Sequence, residues 1–285
     1  MRKHGSSGFR RNDRRYASTP GRLPLPQGGR PMNTAGRIKA LTLAGRIILE
    51  NGGETYRAED TVVRMAQSMG LEEPDAFGVP SGLFISFTDE TGERRTNVCR
   101  MRGRDTDLGR VDQVNQLSRR LAAGQITEEE LLRQLTLLSS PSETSRWHMP
   151  LTAALTAVGF ALMFNGSLWE MLISALCAAV TQMIPWLLPL QHSSMAKNVV
   201  GSAISTLLPM LFHHLTGFGL VDAMVAGALM PLVPGLSMTN AVLDVVRGDM
   251  VSGTAHAARA LLTAALVAGG ALVGAEVFGW IGGVL

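Results

Sequence analysis

Two prolines three residues apart, a glycine, then an amide and a carboxylate four residues apart form the densest chemical pattern in this chain. The segment reads Pro231-Leu-Val-Pro234-Gly235-Leu-Ser-Met-Thr-Asn240-Ala-Val-Leu-Asp244. Proline has no N–H to give and its ring blocks the preceding turn, so the segment cannot be one unbroken helix. In a membrane, carbonyls freed by such a break must find new partners or line a wet cavity. Broken helices build substrate sites in many transporters. Asn240 and Asp244 stand at i and i+4, so they share a face wherever helix resumes. An amide beside a carboxylate can hold an ammonium group or pass a proton. The plainer alternative is a capped helix end followed by a solvated loop.

A second dense segment is Glu50-Asn-Gly-Gly-Glu54-Thr-Tyr-Arg57-Ala-Glu59-Asp60. Glu54 and Arg57 fall in the first turn of a predicted helix, where the helix dipole favours a carboxylate. Nothing nearby suggests catalysis. Ser81 lies in Val-Pro-Ser-Gly, which is not a nucleophile elbow, and no histidine occurs between His4 and His148. The chain shows no metal-ligand spacing and no glycine-rich phosphate loop. We therefore expect no catalytic residue, metal or cofactor. Cys99 and Cys177 are read as small packing residues.

These residues sit on elements of two kinds. The last 139 residues hold three Lys or Arg (Lys197, Arg247 and Arg259), against 23 in the first 146. A hydrocarbon core of ~30 Å needs ~20 apolar residues in helix, and the C-terminal half supplies about five such runs. The expected fold is an α-helical membrane protein, with about five transmembrane helices preceded by a soluble α+β cytoplasmic domain. The spans are predicted at 148–165, 168–190, 196–216, 219–237 and 259–284, within a membrane domain of residues 147–285. With the N-terminus in the cytoplasm, all three late cations fall in inner loops, at 190–197 and 238–259, as the positive-inside rule asks. Leu285 then lies outside. Trp147, Trp169, Trp186 and Trp280 fall at predicted span edges, where indole rings prefer to sit. Glu170, Asp222, His213, His214 and Glu276 fall near span ends; Glu170 and Asp222 are expected to reach the outer surface. Gly270-x-x-x-Gly274 and Gly279-x-x-x-Gly283 mark a close-packing face on the fifth span, open to a partner subunit.

Residues 1–34 are rich in Arg, Gly, Ser and Pro and are expected to be a disordered basic tail. Its surplus charge suits anionic lipid, so no nucleic-acid partner is expected. Residues 35–146 read as the α+β domain. One helix ends at Asn51-Gly52-Gly53, and another runs from about Glu54 to Ser68. A hairpin follows, with strands Gly82–Thr88 and Arg95–Met101 joined by Asp89-Glu-Thr-Gly92. Two more helices span roughly 108–123 and 127–138. Thr127 and Glu130 form a capping box for the last.

At these segments the sequence resembles the threonine/serine exporter family, more closely its shorter, YjjP-type members. The resemblance rests on Gly45-Arg-Ile-Ile-Leu-Glu-Asn-Gly-Gly-Glu-Thr-Tyr-Arg-Ala-Glu-Asp60, Val79-Pro-Ser-Gly-Leu-Phe-Ile-Ser86 and Arg110-Val-Asp-Gln-Val-Asn-Gln-Leu-Ser-Arg119. It continues through Leu232–Asp244, then Gly248-Asp249 and Ser252-Gly253. It covers residues 36–285. It implies export of small polar metabolites across the bacterial inner membrane, with threonine and serine, or a dicarboxylate such as succinate, as substrates. It further implies a separate small YjjB-like membrane subunit. Homo-oligomers are also compatible. By the same resemblance Glu54, Pro234, Gly235, Asn240 and Asp244 are motif positions, taken here as substrate or ion-pathway residues. Two other readings stand beside it: a membrane-anchored regulatory or enzymatic cytoplasmic domain, and a structural partner of another channel subunit. Five broken, glycine-rich spans exceed what an anchor needs.

Overall fold

The computed structural model describes residues 32–89, 91–101, 106–140, 147–187 and 194–282. Residues 1–31 of the expected basic tail, and Leu285, lie outside the described residues, while Asn33 and Thr34 at its end already begin the first helix.

The N-terminal half folds around one apolar core. Helix α1 (Thr34–Glu50) starts at Asn33, whose side chain accepts the Gly36 N–H at 2.8 Å, an N-cap satisfying one orphan donor. Helix α2 (Thr55–Ser68) buries Ala58, Thr61, Val62, Met65 and Ala66, the i, i+3, i+4 stripe of a core-facing helix. Strands β1 (Glu72–Val79), β2 (Gly82–Thr88) and β3 (Arg94–Arg100) form an antiparallel sheet in that order. Leu83, Ile85 and Phe87 of β2 point into the core, alternating with outward residues as the pleat requires. Helices α3 (Leu108–Ala122) and α4 (Glu128–Leu138) close the core with Val114, Leu131 and Leu135. Thr127 Oγ1 accepts the Glu130 N–H at 3.2 Å, as the capping-box spacing predicts. The Glu130 carboxylate turns to Arg133 and Gln134.

Strand β1 is the element the sequence concealed. Its Glu-Glu-Pro-Asp start lacks strand composition, and Pro74 is tolerated because β1 is an edge strand. The register slips between Glu72 and Asp75, with Glu73 at φ 46°.

The described residues of the C-terminal half form helices and the short turns between them: α5 (His148–Met163), α6 (Leu168–Leu187), α7 (Ser194–Thr216), α8 (Val221–Leu229), a 3₁₀ turn (Met230–Leu232), α9 (Gly235–Val246) and α10 (Met250–Gly282). Helices α7 and α10 are long and apolar enough to cross a membrane. The α8 segment and α9 qualify only together, as a pair bent by 58°. Helices α5 and α6 are shorter apolar helices; at 1.5 Å per residue α5 reaches only about 24 Å. The five expected spans thus appear as two full helices, one bent pair and two short helices.

The expected loop 238–259 is helical over most of its length. Those residues form most of α9 and the first turns of α10. The real turn is three residues long. The Asp249 N–H reaches Asp244 O at 2.8 Å and the Gly248 N–H reaches Val245 O at 3.0 Å. This Schellman pattern needs a left-handed residue, and Gly248 supplies it at φ 95°. Charge at Arg247, Asp249 and Arg259 looked like a loop because it is the polar end of two helices.

Two further expectations change. Glu170 is buried, not at a surface: its carboxylate accepts the Ser167 N–H at 2.8 Å and the Leu220 N–H at 2.9 Å, tying the start of α6 to the start of α8. The Gly270-x-x-x-Gly274 face is occupied by the chain's own α7. A Cβ at Gly270 would lie 2.3 Å from Val199 O, and one at Gly274 2.3 Å from Ala203 O.

Candidate functional site

The break in the helix is made by its prolines. Pro231 cannot donate to Gly227 O, nor Pro234 to Met230 O. Met230 O takes the Val233 N–H at 3.1 Å instead, and the Gly235 N–H turns back to Val233 O at 2.8 Å. Pro234, at φ −79° and ψ 54°, sits at the centre of that inverse γ-turn and at the N-cap of α9. Gly235 is exposed, and a Cβ there would meet nothing within 4 Å. Its steric freedom is not what bends the chain.

Helix α9 then runs with Asn240, Ala241 and Asp244 on its buried face. They are covered by α10, which packs along α9, and by the N-terminal half of the molecule. Asn240 Nδ2 donates to Gly52 O at 3.0 Å. Thr55 Oγ1 donates to Asp244 Oδ2 at 3.1 Å. Ser252 Oγ, from the first turn of α10, donates to Gly78 O at 3.1 Å. The Arg247 guanidinium lies 3.2 Å from the Tyr56 ring centroid, a cation–π contact. The α9–α10 hairpin therefore grips the first turn of α2 and the end of β1.

Asp244 is wholly buried. His256 Nε2 approaches its Oδ2 at 3.8 Å. Its other oxygen, Oδ1, has no hydrogen-bond partner among the described residues. A buried carboxylate oxygen left so is costly unless a proton, cation or donor visits it. Glu54 is the N-cap residue of α2 rather than part of its first turn. It makes no cap bond and pairs instead with Arg57, Oε2 to Nε at 2.6 Å.

Close by, Glu59 Oε1 accepts the Gly78 N–H at 2.7 Å. Burial first, then the charges of Asp249, Asp244 and Asp75, push the Glu59 carboxyl up to about 7, against the lowering effect of the Gly78 N–H. Glu59 is thus poised to change charge near neutral pH, with Gly78 linking it to Ser252 of α10.

Of the sequence-predicted residues, the structure brings Glu54, Asn240 and Asp244 to one junction. Pro234 and Gly235 stand apart, at the start of the helix that carries the last two. Thr55, Tyr56, Gly78, Ser252 and His256 were not singled out by their chemistry. Thr55, Tyr56 and Ser252 do fall in the segments that carry the family resemblance, which was the available signal.

Two helices long and apolar enough to cross a membrane, and a bent pair that qualifies together and bonds through its polar face to the α+β unit, are the architecture of a helical membrane protein. The sequence profile of the family described as "Putative threonine/serine exporter" matches residues 39–278. The chain belongs to the threonine/serine exporter family. A protein named "Probable threonine/serine exporter" from Mycobacterium tuberculosis is 26% identical over 261 residues, covering 87% of this chain and 49% of that protein. The chain thus spans about half the length of that relative. A protein named "Probable succinate transporter subunit YjjP" from Escherichia coli is 24% identical over 229 residues, covering 79% of this chain and 88% of that protein. The protein of the same name from Klebsiella aerogenes is 22% identical over 227 residues, covering 78% and 86%. No solved structure matches significantly.

Proposed function

We propose that this chain is a subunit of a secondary exporter in the bacterial inner membrane, carrying small polar metabolites out of the cytoplasm. The substrate is threonine or serine, or a dicarboxylate such as succinate. The chain works with a small YjjB-like membrane subunit, and its N-terminal domain faces the cytoplasm. The observation that carries this reading is Asp244: a wholly buried carboxylate with one oxygen unpartnered among the described residues, on the helix that follows the Pro231–Pro234 break. Ionisable groups held within membrane helices default to transport roles.

In this reading α9 is the moving piece. The bend at Pro234 lets it tilt against α8, and Asn240 and Asp244 carry the tilt to the Gly52–Thr55 loop. With an amino-acid substrate, Asp244 meets the ammonium group and Asn240 donates or accepts beside it. With a dicarboxylate, ionised Asp244 would repel the substrate, and its role is to carry the coupling proton. Glu54, paired with Arg57, sets the charge at the mouth. A second reading is favoured by the bonds from Asn240 to Gly52 and from Thr55 to Asp244: the pair is a latch that holds the cytoplasmic domain and regulates the break. Counterflow of radiolabelled threonine, serine and succinate into vesicles holding both subunits tests the function. Concentrative uptake of one class supports it; none of the three exchanging above empty vesicles overturns it.

A further inference from the structure

A cavity of about 190 Å³ lies between α6, α7 and the 3₁₀ turn of the break. It is lined by Thr181, Gln182, Lys197, Asn198, Pro231 and Leu232, with Ile184. Neither Asn240 nor Asp244 contributes. A larger groove of about 330 Å³, with Thr152 and Thr156 in its wall, adjoins it at Gln182 and Pro231. Both open at the point where the helix breaks.

The lining chemistry is lopsided. Lys197 is one of three cations in the last 139 residues. It is half-buried, and no carboxylate lies within ion-pair distance of it among the described residues. Gln182 and Asn198 add two amides, each with two donors. The Thr181 hydroxyl is already engaged, donating to Cys177 O at 2.9 Å and lying 2.8 Å from Ser205 Oγ. The Thr181–Ser205 bond pins α6 to α7 behind the cavity. An ammonium and two amide groups, with no acid, make a receptor for an anion. The space is below the ~300–1,000 Å³ of drug-sized pockets and suits a small metabolite.

We propose that this cavity binds a carboxylate group of the exported metabolite, with Lys197 as its counter-charge and the Gln182 and Asn198 amides as donors. The inference rests on the export reading above. It supplies what both substrate classes share, since an amino acid and a dicarboxylate each carry a carboxylate. It also ties the site to the break, since Pro231 and Leu232 of the 3₁₀ turn form part of the wall.

The test uses the full chain in nanodiscs of phosphatidylcholine, a lipid without net charge. Equilibrium binding of labelled succinate, threonine and serine is measured for wild type, Lys197→Gln, Lys197→Arg and the exposed control Lys39→Gln. A charge-assisted contact is worth about ten- to a hundredfold in affinity. Saturable binding of one class should weaken by that factor in Lys197→Gln, recover in part in Lys197→Arg, and stay unchanged in Lys39→Gln. Gln182→Leu should lose less. Unfolding temperatures matching wild type exclude a folding defect. Absence of saturable binding to wild type, or wild-type affinity in Lys197→Gln, would overturn the proposal; the second result makes Lys197 a lipid-headgroup anchor. If both subunits together still export the metabolite with Lys197→Gln at the wild-type rate, the site is wrong and the export reading stands. If wild type with its partner exports nothing, the export reading itself has failed.

Discussion

The two halves of this molecule bury opposite things. In the N-terminal half the buried residues are large and apolar: Leu41, Ile48, Met65, Leu83, Phe87 and Leu131 are all at or near zero exposure. In the C-terminal half the buried residues are mostly small or polar, among them Ala157, Ala178, Ser174, Ser202, Ser205, Glu170 and Asp244. Its large apolar residues face outward, with Leu155 at 72%, Leu172 at 59% and Trp280 at 75% exposure. Water drives the first arrangement through the hydrophobic effect. Lipid supplies no such drive between helices, so close backbone approach and interhelical hydrogen bonds hold the second. The junction between the halves uses neither rule alone. It is a set of side-chain bonds to backbone carbonyls and one buried carboxylate.

The largest test of this contrast is at α7–α10. Gly270→Leu must displace Val199 and Ser202, since even a Cβ would sit 2.3 Å from Val199 O. We expect loss of stably inserted protein, read by membrane fractionation and detergent-extracted yield. Normal yield would mean that this helix pair is not what holds the bundle. Next in size is the buried pair between Arg37 and Glu128, Nε to Oε2 at 3.0 Å and Nη2 to Oε1 at 3.1 Å. Arg37→Ala leaves the buried Glu128 carboxylate without its counter-charge, holding only the Met32 N–H at 2.8 Å, and should cost about 3–5 kcal/mol, measured by denaturant unfolding. A cost near that of a surface substitution would contradict it.

A matched pair of leucines sharpens the contrast directly. Leu83→Ala empties a core position and should cost about 2–5 kcal/mol. Leu155→Ala should change stability by no more than about 0.5 kcal/mol. Equal effects would show that Leu155 is covered by protein rather than lipid.

The smallest effect is a pH slope. The Glu59 carboxyl is raised to about 7 from its ordinary value near 4.5, so the folded protein binds its proton more tightly than the unfolded chain. That contribution is fully present below pH 4.5 and is lost as pH rises through 7. Wild-type unfolding temperature should fall across that window by more than in Glu59→Gln. Parallel profiles for the two proteins would place the titration elsewhere.

Much of this architecture was legible in residue order. Asn51-Gly52 stopped α1, the 82–101 hairpin showed its alternation, and the prolines at 231 and 234 marked the break. Each is a local signal, fixed by neighbours in sequence. Strand β1 was hidden because an edge strand tolerates Pro74 and acids that a central one would not. The 238–259 segment was misread because Arg247, Gly248 and Asp249 crowd a three-residue turn between two helices. The junction was illegible for a different reason. Thr55 and Asp244 are 189 residues apart, and no periodicity in either segment points to the other. Spacing could say that Asn240 and Asp244 share a face; only the fold shows that the face is covered by the Gly52–Thr55 loop.

The central claim is that the broken helix and its buried carboxylate serve export. Asp244→Asn keeps the shape, removes the charge and retains an acceptor for Thr55. Vesicles holding both subunits, loaded with unlabelled substrate, should show brisk counterflow of one labelled class with wild type. Asp244→Asn, inserted at the same level, should nearly abolish it. Unchanged counterflow with Asp244→Asn and with Asn240→Ala would contradict the account and reduce the motif to a fastening between the two halves.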